Sequence, residues 1–468
     1  MPTPEGHVSI VGGGITGLAT AWYLRQYAPG LAVTVWDASD RLGGKLRTGS
    51  LDGVAVEAGP DTFLARVPWA VELCRALGLE DELVAPATGR AYIWTRGRLR
   101  PIPEGTVLGV PARLDPLARS GIVSPAGLAR AALDLVLPTS GPAAGGVAGA
   151  DRSVADVVGG RLGREVVDRL VDPLIGGIHA GRADRLSLAA VAPQVAGPAA
   201  HGGSLMRALR GSLPPPTPTP AARAGPEGYG TPGGPLFLGL RGGIERLVER
   251  LVERLGGPEL RLGAPVRSLD DLGRGPVVLT VPAFAAAPLI EPRSADAAGE
   301  LAAITYASVV TVTLAYGEDA LASGPLDGSG FLVPRVDGRL ITACTWLTSK
   351  WPHLAEGRPG LVLLRASAGR AGDDRAMELD DAELVDRVHA ELVEAMGLRS
   401  APRSHFLTRW PRAFPQYDVG HQARVARIES ALAADAPGVT VAGAAYRGVG
   451  IAACIQQARQ AALSLAGG

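Results

Sequence analysis

The sequence predicts an α/β nucleotide-binding domain on a parallel sheet, combined with an α+β part: an inserted, mainly antiparallel sheet domain and a helical region. Three observations predict it. Glycine-rich strand-to-helix turns stand near both ends of the chain, in "IVGGGITGLAT" and "GVGIAACI". Strand-like runs separated by turns fill residues 302–370. Two proline- and glycine-dense stretches, Leu137–Ser153 and Gly211–Pro235, punctuate a segment of helical character.

In the first element, "HVSIVGGGITGLATAW", the strand carries Val8, Ile10 and Val11 and runs into Gly12, Gly13 and Gly14. Gly12, Gly14 and Gly17 match the dinucleotide spacing. The first allows a tight turn, the second lets a pyrophosphate approach the backbone, and the third lets helix pack on strand. The free N–H groups at the helix start, around Ile15 and Thr16, then face the anion. This pattern alone does not separate NAD from FAD. A second strand, in "VTVWDASDRLGGKLRT", ends in Asp37 about 20 residues past the last glycine, where a carboxylate accepts hydrogen bonds from ribose hydroxyls. That anion would repel the 2′-phosphate of NADP.

The proline- and glycine-dense stretches oppose helix and strand alike and predict exposed loops. Around them lies helical sequence such as "SPAGLARAALDLVL", with a Ser-Pro start and apolar residues at helical spacing. Its apolar face packs on its own domain in the favoured reading and contacts a lipid surface in the alternative. Further on, Ile244, Leu247, Val248, Leu251, Val252 and Leu255 form one stripe in "GLRGGIERLVERLVERLGG", predicting a surface helix with solvated charges opposite. Two strand-like pieces, "LRLGAPVRSLD" and "GPVVLTVPAF", return the chain to the nucleotide domain. "ASVVTVTLAY", "GFLVP", "LITACTW" and "LVLLRAS" then predict the antiparallel sheet, and "DDAELVDRVHAELVEAMGL" a helix after it. The expected domains are a discontinuous nucleotide-binding unit (1–88, 228–295 and 403–468), a substrate-binding unit (89–100 and 296–402), and a helical unit (101–227) with a linker at 211–235.

The last element, "GVTVAGAAYRGVGIAACIQQARQAAL", brings a second glycine turn and helix start, at Val449, Gly450 and Ile451. Two helix N-termini suit FAD better than NAD, because reduced flavin gathers negative charge that backbone N–H groups stabilise.

Composition narrows the function classes. With 46 basic and 46 acidic residues the net charge is zero, which removes the electrostatic reason to expect nucleic acid. Lys45 and Lys350 are the only lysines, so arginine supplies nearly all the positive charge. Cys74, Cys344 and Cys454 are far apart and form no CxxC, as expected in a reducing compartment. The longer uncharged runs are too short to cross a bilayer core of about 30 Å as helices. These features predict a cytoplasmic protein, with peripheral membrane contact left open. No GxSxG, HExxH or Walker lysine motif is present, and the seven histidines show no metal-ligand spacing.

The spacing of Asp37, Arg41, Gly43, Gly44 and Thr48 resembles the signature of the amine oxidase superfamily of FAD enzymes, with its p-hydroxybenzoate hydroxylase-like architecture. "EAGPDTFLAR", "VDPLIGGIHAG", "ITACTWLTSKWPH", "TRWPRAFPQYDVGH" and "GVGIAACI" together resemble the flavin-dependent porphyrinogen oxidases of haem biosynthesis, above all their coproporphyrin-forming bacterial branch. The resemblance implies FAD contacts at Gly12 to Gly17, Asp37, Ala38, Lys45, Gly59, Pro60, Asp61, Thr62, Val266, Trp410 and Val449 to Ile451. It implies a porphyrinogen substrate and molecular oxygen, with hydride passing from a bridge carbon to flavin N5 and no catalytic side chain assigned. The substrate-side expectations are Arg66 for a propionate, Leu174, Ile175, Gly176 and Gly177 for one face of an apolar slot, and Phe331, Leu332 and Trp346 for another. His179 either lines the pocket or is structural. Where many superfamily members carry an acid for the ribityl chain this sequence has Ala444, and Ala91 stands where eukaryotic relatives have an arginine. The alternatives are protoporphyrinogen IX oxidation, another flavoenzyme of the superfamily, and a non-catalytic porphyrin carrier. Oligomeric state is not legible.

Overall fold

The structure is a computed structural model that describes residues 6–137, 151–212, 229, 234–255, 259–322 and 324–467. Most of both proline- and glycine-dense stretches lies outside the described residues.

Five parallel strands form the nucleotide-side sheet, in the order Glu259–Arg261, Ala32–Trp36, His7–Val11, Val277–Leu279, Val439–Val441. The strand His7–Val11 is buried from Val8 onward because helices cover both faces, which is why it reads as a nearly continuous apolar run. It pairs with Ala32–Trp36 on one side and with Val277–Leu279 on the other. The chain order reverses there, opening a crevice at the carboxyl ends of the strands. Helices Ile15–Tyr27 and Ile451–Ala466 pack closely through small buried residues, among them Ala19, Ala21, Ala458 and Ala462. Helix Glu245–Leu255 lies beside the first of them, burying Leu247, Val248, Leu251 and Leu255. The piece "LRLGAPVRSLD" is a strand only over Glu259–Arg261, so Val266 sits in irregular chain.

The second sheet has seven strands, in the order Ser404–Pro415, Tyr306–Gly317, Leu361–Ala368, Ile341–Trp346, Gly330–Leu332, Tyr92–Thr95, Arg98–Pro101. All neighbours are antiparallel except Gly330–Leu332 with Tyr92–Thr95. One expected boundary is corrected. Ser404–Pro415, assigned from sequence to the nucleotide-binding unit, pairs along Tyr306–Gly317 as an edge of this sheet. That ladder satisfies the backbone groups on its inner side, and the chain leaves the sheet only before helix His421–Asp435. Helix Asp381–Met396 covers one face of the sheet with Leu384, Val388 and Leu392.

Short helices build the remaining unit around Leu117, Ile122, Val158, Leu162, Leu170 and Ile175. Ser124 caps helix Pro125–Ala132 by accepting from the Gly127 N–H, and Ser153 caps Val154–Leu162 in the same way through Asp156. Helix Asp172–His179 follows a single π-type turn, Val167–Val171, and ends where Ala180 takes a left-handed conformation at φ 49°. No helix among the described residues is long and apolar enough to cross a membrane.

Candidate functional site

A single cavity of about 2490 Å³ runs from the switch point of the parallel sheet to helix Asp172–His179. It exceeds twice the roughly 1,000 Å³ at the top of the usual range for small-ligand sites, enough for two large ligands side by side.

At the nucleotide end, Gly12 turns the chain at φ 112° and donates its N–H to the Trp36 carbonyl at 2.7 Å. Gly14 caps helix Ile15–Tyr27 without any side-chain hydrogen bond, and no acid occupies the first turn. A Cβ on Gly14 would meet nothing within 4 Å, so the space before the helix N-terminus is open to an anion. Helix Ile451–Ala466 repeats the arrangement, with Gly450 as an uncapped N-cap at φ 111°, no acid in the first turn and open space around it. Two uncapped N-termini on one cavity fit a flavin dinucleotide, with the pyrophosphate at the first and the electron-rich edge of the ring at the second.

Gly12, Gly14, Ile15, Thr16, Asp37, Ala38 and Lys45 line this end, and Val266 lies on its far side. Gly59, Pro60, Thr62, Trp410, Val449, Gly450 and Ile451 line the middle. Arg66, Gly176 and Gly177 line the substrate end, with Arg66 exposed. Lys45 keeps accessible surface within the cavity, yet the surrounding protein desolvates its ammonium and pulls it below the usual lysine range.

Eight expected residues stand off the cavity wall, each for a packing reason. Gly13 donates its N–H to Asp37 Oδ2 at 2.6 Å and so fixes the carboxylate. Gly17 packs so tightly that a Cβ would lie 1.9 Å from the Gly12 carbonyl oxygen. Asp61 turns away from the cavity to accept from Lys350 Nζ at 2.7 Å and Trp351 Nε1 at 3.1 Å, with Arg365 Nη2 at 3.3 Å. Burial alone would raise the Asp61 carboxyl, but Lys350 and Arg365 outweigh it and hold the group well below the carboxylate range. Leu174 and Ile175 face the helical core. Phe331 and Trp346 are 2% and 3% exposed and pack edge to face at 6.4 Å inside the sheet's core. Leu332 lies behind Gly177, 3.2 Å from where its Cβ would be.

The sheet contributes its other face to the cavity. Arg365 and Ser367 line the cavity while Leu364, Ala366 and Ala368 enter the core, and Ala343 lines it while Cys344 and Trp346 do not. The period of two in a strand makes that division inevitable, but strand-like sequence does not say which set faces the ligand. The 57–62 segment is strapped to this sheet: Trp410 Nε1 and Thr311 Oγ1 donate to the Ala58 carbonyl at 2.7 and 3.2 Å, and Arg365 Nη1 to that of Gly59 at 3.2 Å. Behind it, burial pushes the Glu57 carboxyl up to about 7, against hydrogen bonds from the Ile244 N–H and the Thr48 hydroxyl.

Sequence reasoning also missed Tyr417. Its hydroxyl donates to the Ala444 carbonyl at 2.7 Å and accepts from the Gly448 N–H at 2.8 Å, pinning the turn that precedes the second helix N-terminus. The signal was its place in "PQYDVGH". His179 does line the cavity, and burial lowers its imidazole to about 4, so the ring is neutral at neutral pH. Among the described residues no cluster of ligating side chains could hold a metal ion.

The flavin containing amine oxidoreductase family model matches residues 15–465. The coproporphyrinogen III oxidase of Bacillus subtilis is 35% identical over 98% of each chain, and that of Staphylococcus aureus 32% identical over 97% of this chain and 98% of the relative. A solved structure from Exiguobacterium sp. 255-15, named for protoporphyrinogen oxidase, superposes with a TM-score of 0.85 at 32% identity over 99% of both chains. The chain thus belongs to the flavin containing amine oxidoreductase family, on its porphyrinogen oxidase branch.

Proposed function

We propose that the protein is an FAD-dependent oxidase that converts coproporphyrinogen III to coproporphyrin III in three two-electron steps. Each step consumes one O₂ and releases one hydrogen peroxide, so six electrons and six protons leave the macrocycle in all. The observation that carries this reading is the continuity of one cavity from a dinucleotide cradle to a glycine-walled slot. Bound flavin supplies a two-electron acceptor at N5.

The chain's own residues bind, orient and exclude water. The N–H groups following Gly14 and Gly450 would hold the pyrophosphate and the electron-rich edge of the ring, Asp37 the adenosine ribose, and Lys45, Pro60, Thr62 and Trp410 the remainder. Gly176 and Gly177 line the slot and present backbone to one face of the macrocycle. Arg66 at the exposed mouth meets a propionate. Pyrrole nitrogen stabilises the charge that develops as hydride departs, so a strong protein base is not required, and none of the cavity's groups is assigned as one. The three cysteines are buried and free, which suits a cytoplasmic setting.

Rapid mixing of holoenzyme with each substrate under anaerobic conditions tests the proposal. Flavin absorbance is expected to bleach faster with coproporphyrinogen III than with protoporphyrinogen IX, and aerobic turnover to release peroxide. Faster bleaching by protoporphyrinogen IX would reverse the ranking, a second reading favoured by the name of the Exiguobacterium relative.

A further inference from the structure

One buried guanidinium on the cavity wall has no hydrogen-bond partner among the described residues. Arg370 follows the end of strand Leu361–Ala368, lines the cavity, and is 6% exposed. Its Nε is buried without an acceptor, and its one ion contact among the described residues is Asp373 Oδ2 at 3.9 Å. Asp373 is committed elsewhere, accepting two hydrogen bonds from Arg375 at 2.8 Å. Among the other cavity arginines, Arg113 makes a bidentate pair with Asp115, Arg365 meets Asp61, the Arg412 guanidinium lies 3.6 Å above the Phe284 ring, and Arg66 is exposed.

Arg182, Arg335, Arg370 and Arg375 gather with Asp172, Asp184 and Asp373, with Asp168 acting on Asp172 and Glu391 on Arg375. Asp172 also reaches the cavity, but it accepts from the Ala183 N–H at 2.9 Å and stands 4.0 Å from Arg335, and burial raises its carboxyl. Burial and the neighbouring Arg335 pull Arg370 down to about 10, which leaves it charged at neutral pH. A buried, charged, unpaired guanidinium is costly unless something completes it. Next to it, the Ala371 N–H donates to the Ala180 carbonyl at 2.7 Å, tying Arg370 to the end of helix Asp172–His179. His179 lines the same wall with a buried Nδ1 that has no partner. Arg370 and His179 thus stand on the same cavity wall, linked through the Ala371–Ala180 hydrogen bond.

We propose that Arg370 is a carboxylate-binding subsite that takes one propionate of the tetrapyrrole at the cavity wall beside the end of helix Asp172–His179. This rests on the proposed porphyrinogen substrate. The planar guanidinium fork matches a carboxylate bidentately, which fixes the rotation of the macrocycle about its own centre as well as adding affinity. A substrate rim carrying a vinyl group in place of that propionate leaves the guanidinium unpaired and is disfavoured.

The test is binding of the oxidised product to flavin-loaded protein, read by porphyrin fluorescence. Coproporphyrin III, with four propionates, is compared with its tetramethyl ester. Wild type is expected to prefer the acid. Arg370→Gln is expected to weaken binding of the acid about 10- to 100-fold while leaving the ester unchanged. Equal losses for acid and ester would assign Arg370 a structural role and overturn the proposal, as would no loss at all. If Arg370→Gln does not retain flavin, the structure of wild-type protein with coproporphyrin III decides: a carboxylate within hydrogen-bond distance of Arg370 supports the subsite, and all four carboxylates elsewhere refute it. None of these readouts needs turnover, so a wild type that binds at Arg370 but fails to oxidise coproporphyrinogen III would sink the enzymatic reading alone.

Discussion

Gly14 and Gly17 belong to one motif but differ in what a methyl group would meet. At Gly14 the added carbon enters open space, and φ −73° with ψ −179° suits any residue. Gly14→Ala is therefore expected to leave apoprotein stability within about 0.5 kcal/mol of wild type while lowering flavin retention, because the methyl occupies the path of the pyrophosphate. At Gly17 the methyl collides with backbone, so Gly17→Ala is expected to destabilise even the apoprotein, by about 1–3 kcal/mol. Thermal melts with and without FAD separate the two. Glu57 gives a pH signature. Its folded-state value of about 7 lies above the ordinary 4.5, so the folded state holds a proton that the unfolded chain releases. The stabilisation from this group is complete below 4.5 and is lost as pH rises through 7. Glu57→Gln is expected to gain stability relative to wild type between about pH 5 and about pH 8, seen in urea midpoints; a constant difference would contradict the assignment. The glycine roles were legible because they follow from sterics along one short stretch. The partner of Asp61 was not, since Lys350 is 289 positions away.

At the scale of elements, Asp61 and its two cations fasten the 57–62 segment to the seven-stranded sheet. Asp61→Ala would leave Lys350 and Arg365 buried without their carboxylate, and a loss of about 3–5 kcal/mol is expected in denaturant unfolding. A loss below about 1 kcal/mol would mean the cations relax to solvent. Helix Glu245–Leu255 could be read from sequence because a stripe with a 3.6-residue period declares both its conformation and its buried face. Strand Ser404–Pro415 could not be assigned to its sheet, because an edge strand carrying Arg409, Arg412 and two prolines lacks a clean alternation, and pairing with Tyr306–Gly317 is a long-range choice. Trp346 illustrates the same limit: its strand was legible, but the face on which it lands was settled by Asp381–Met396 packing on that side.

The cavity of about 2490 Å³ is lined by distant parts of the chain, so ligand and fold are coupled. Because FAD binds the folded cradle and not the unfolded chain, added FAD is expected to stabilise the apoprotein by about 2.7 kcal/mol at 100 times its Kd, with a melting temperature that climbs with concentration. A melting temperature insensitive to FAD would contradict a cradle assembled from distant segments. The parallel nucleotide domain, the antiparallel insert and the two glycine turns could be read from the residues alone, since each depends on local sterics or on periodicity within a dozen or so residues. Packing settles which strand faces line the cavity, which of its arginines pair closely with carboxylates, and that Asp373 stays 3.9 Å from Arg370. Charge pairing and burial arise between residues tens to hundreds of positions apart, and no local pattern in the chain encodes that distance.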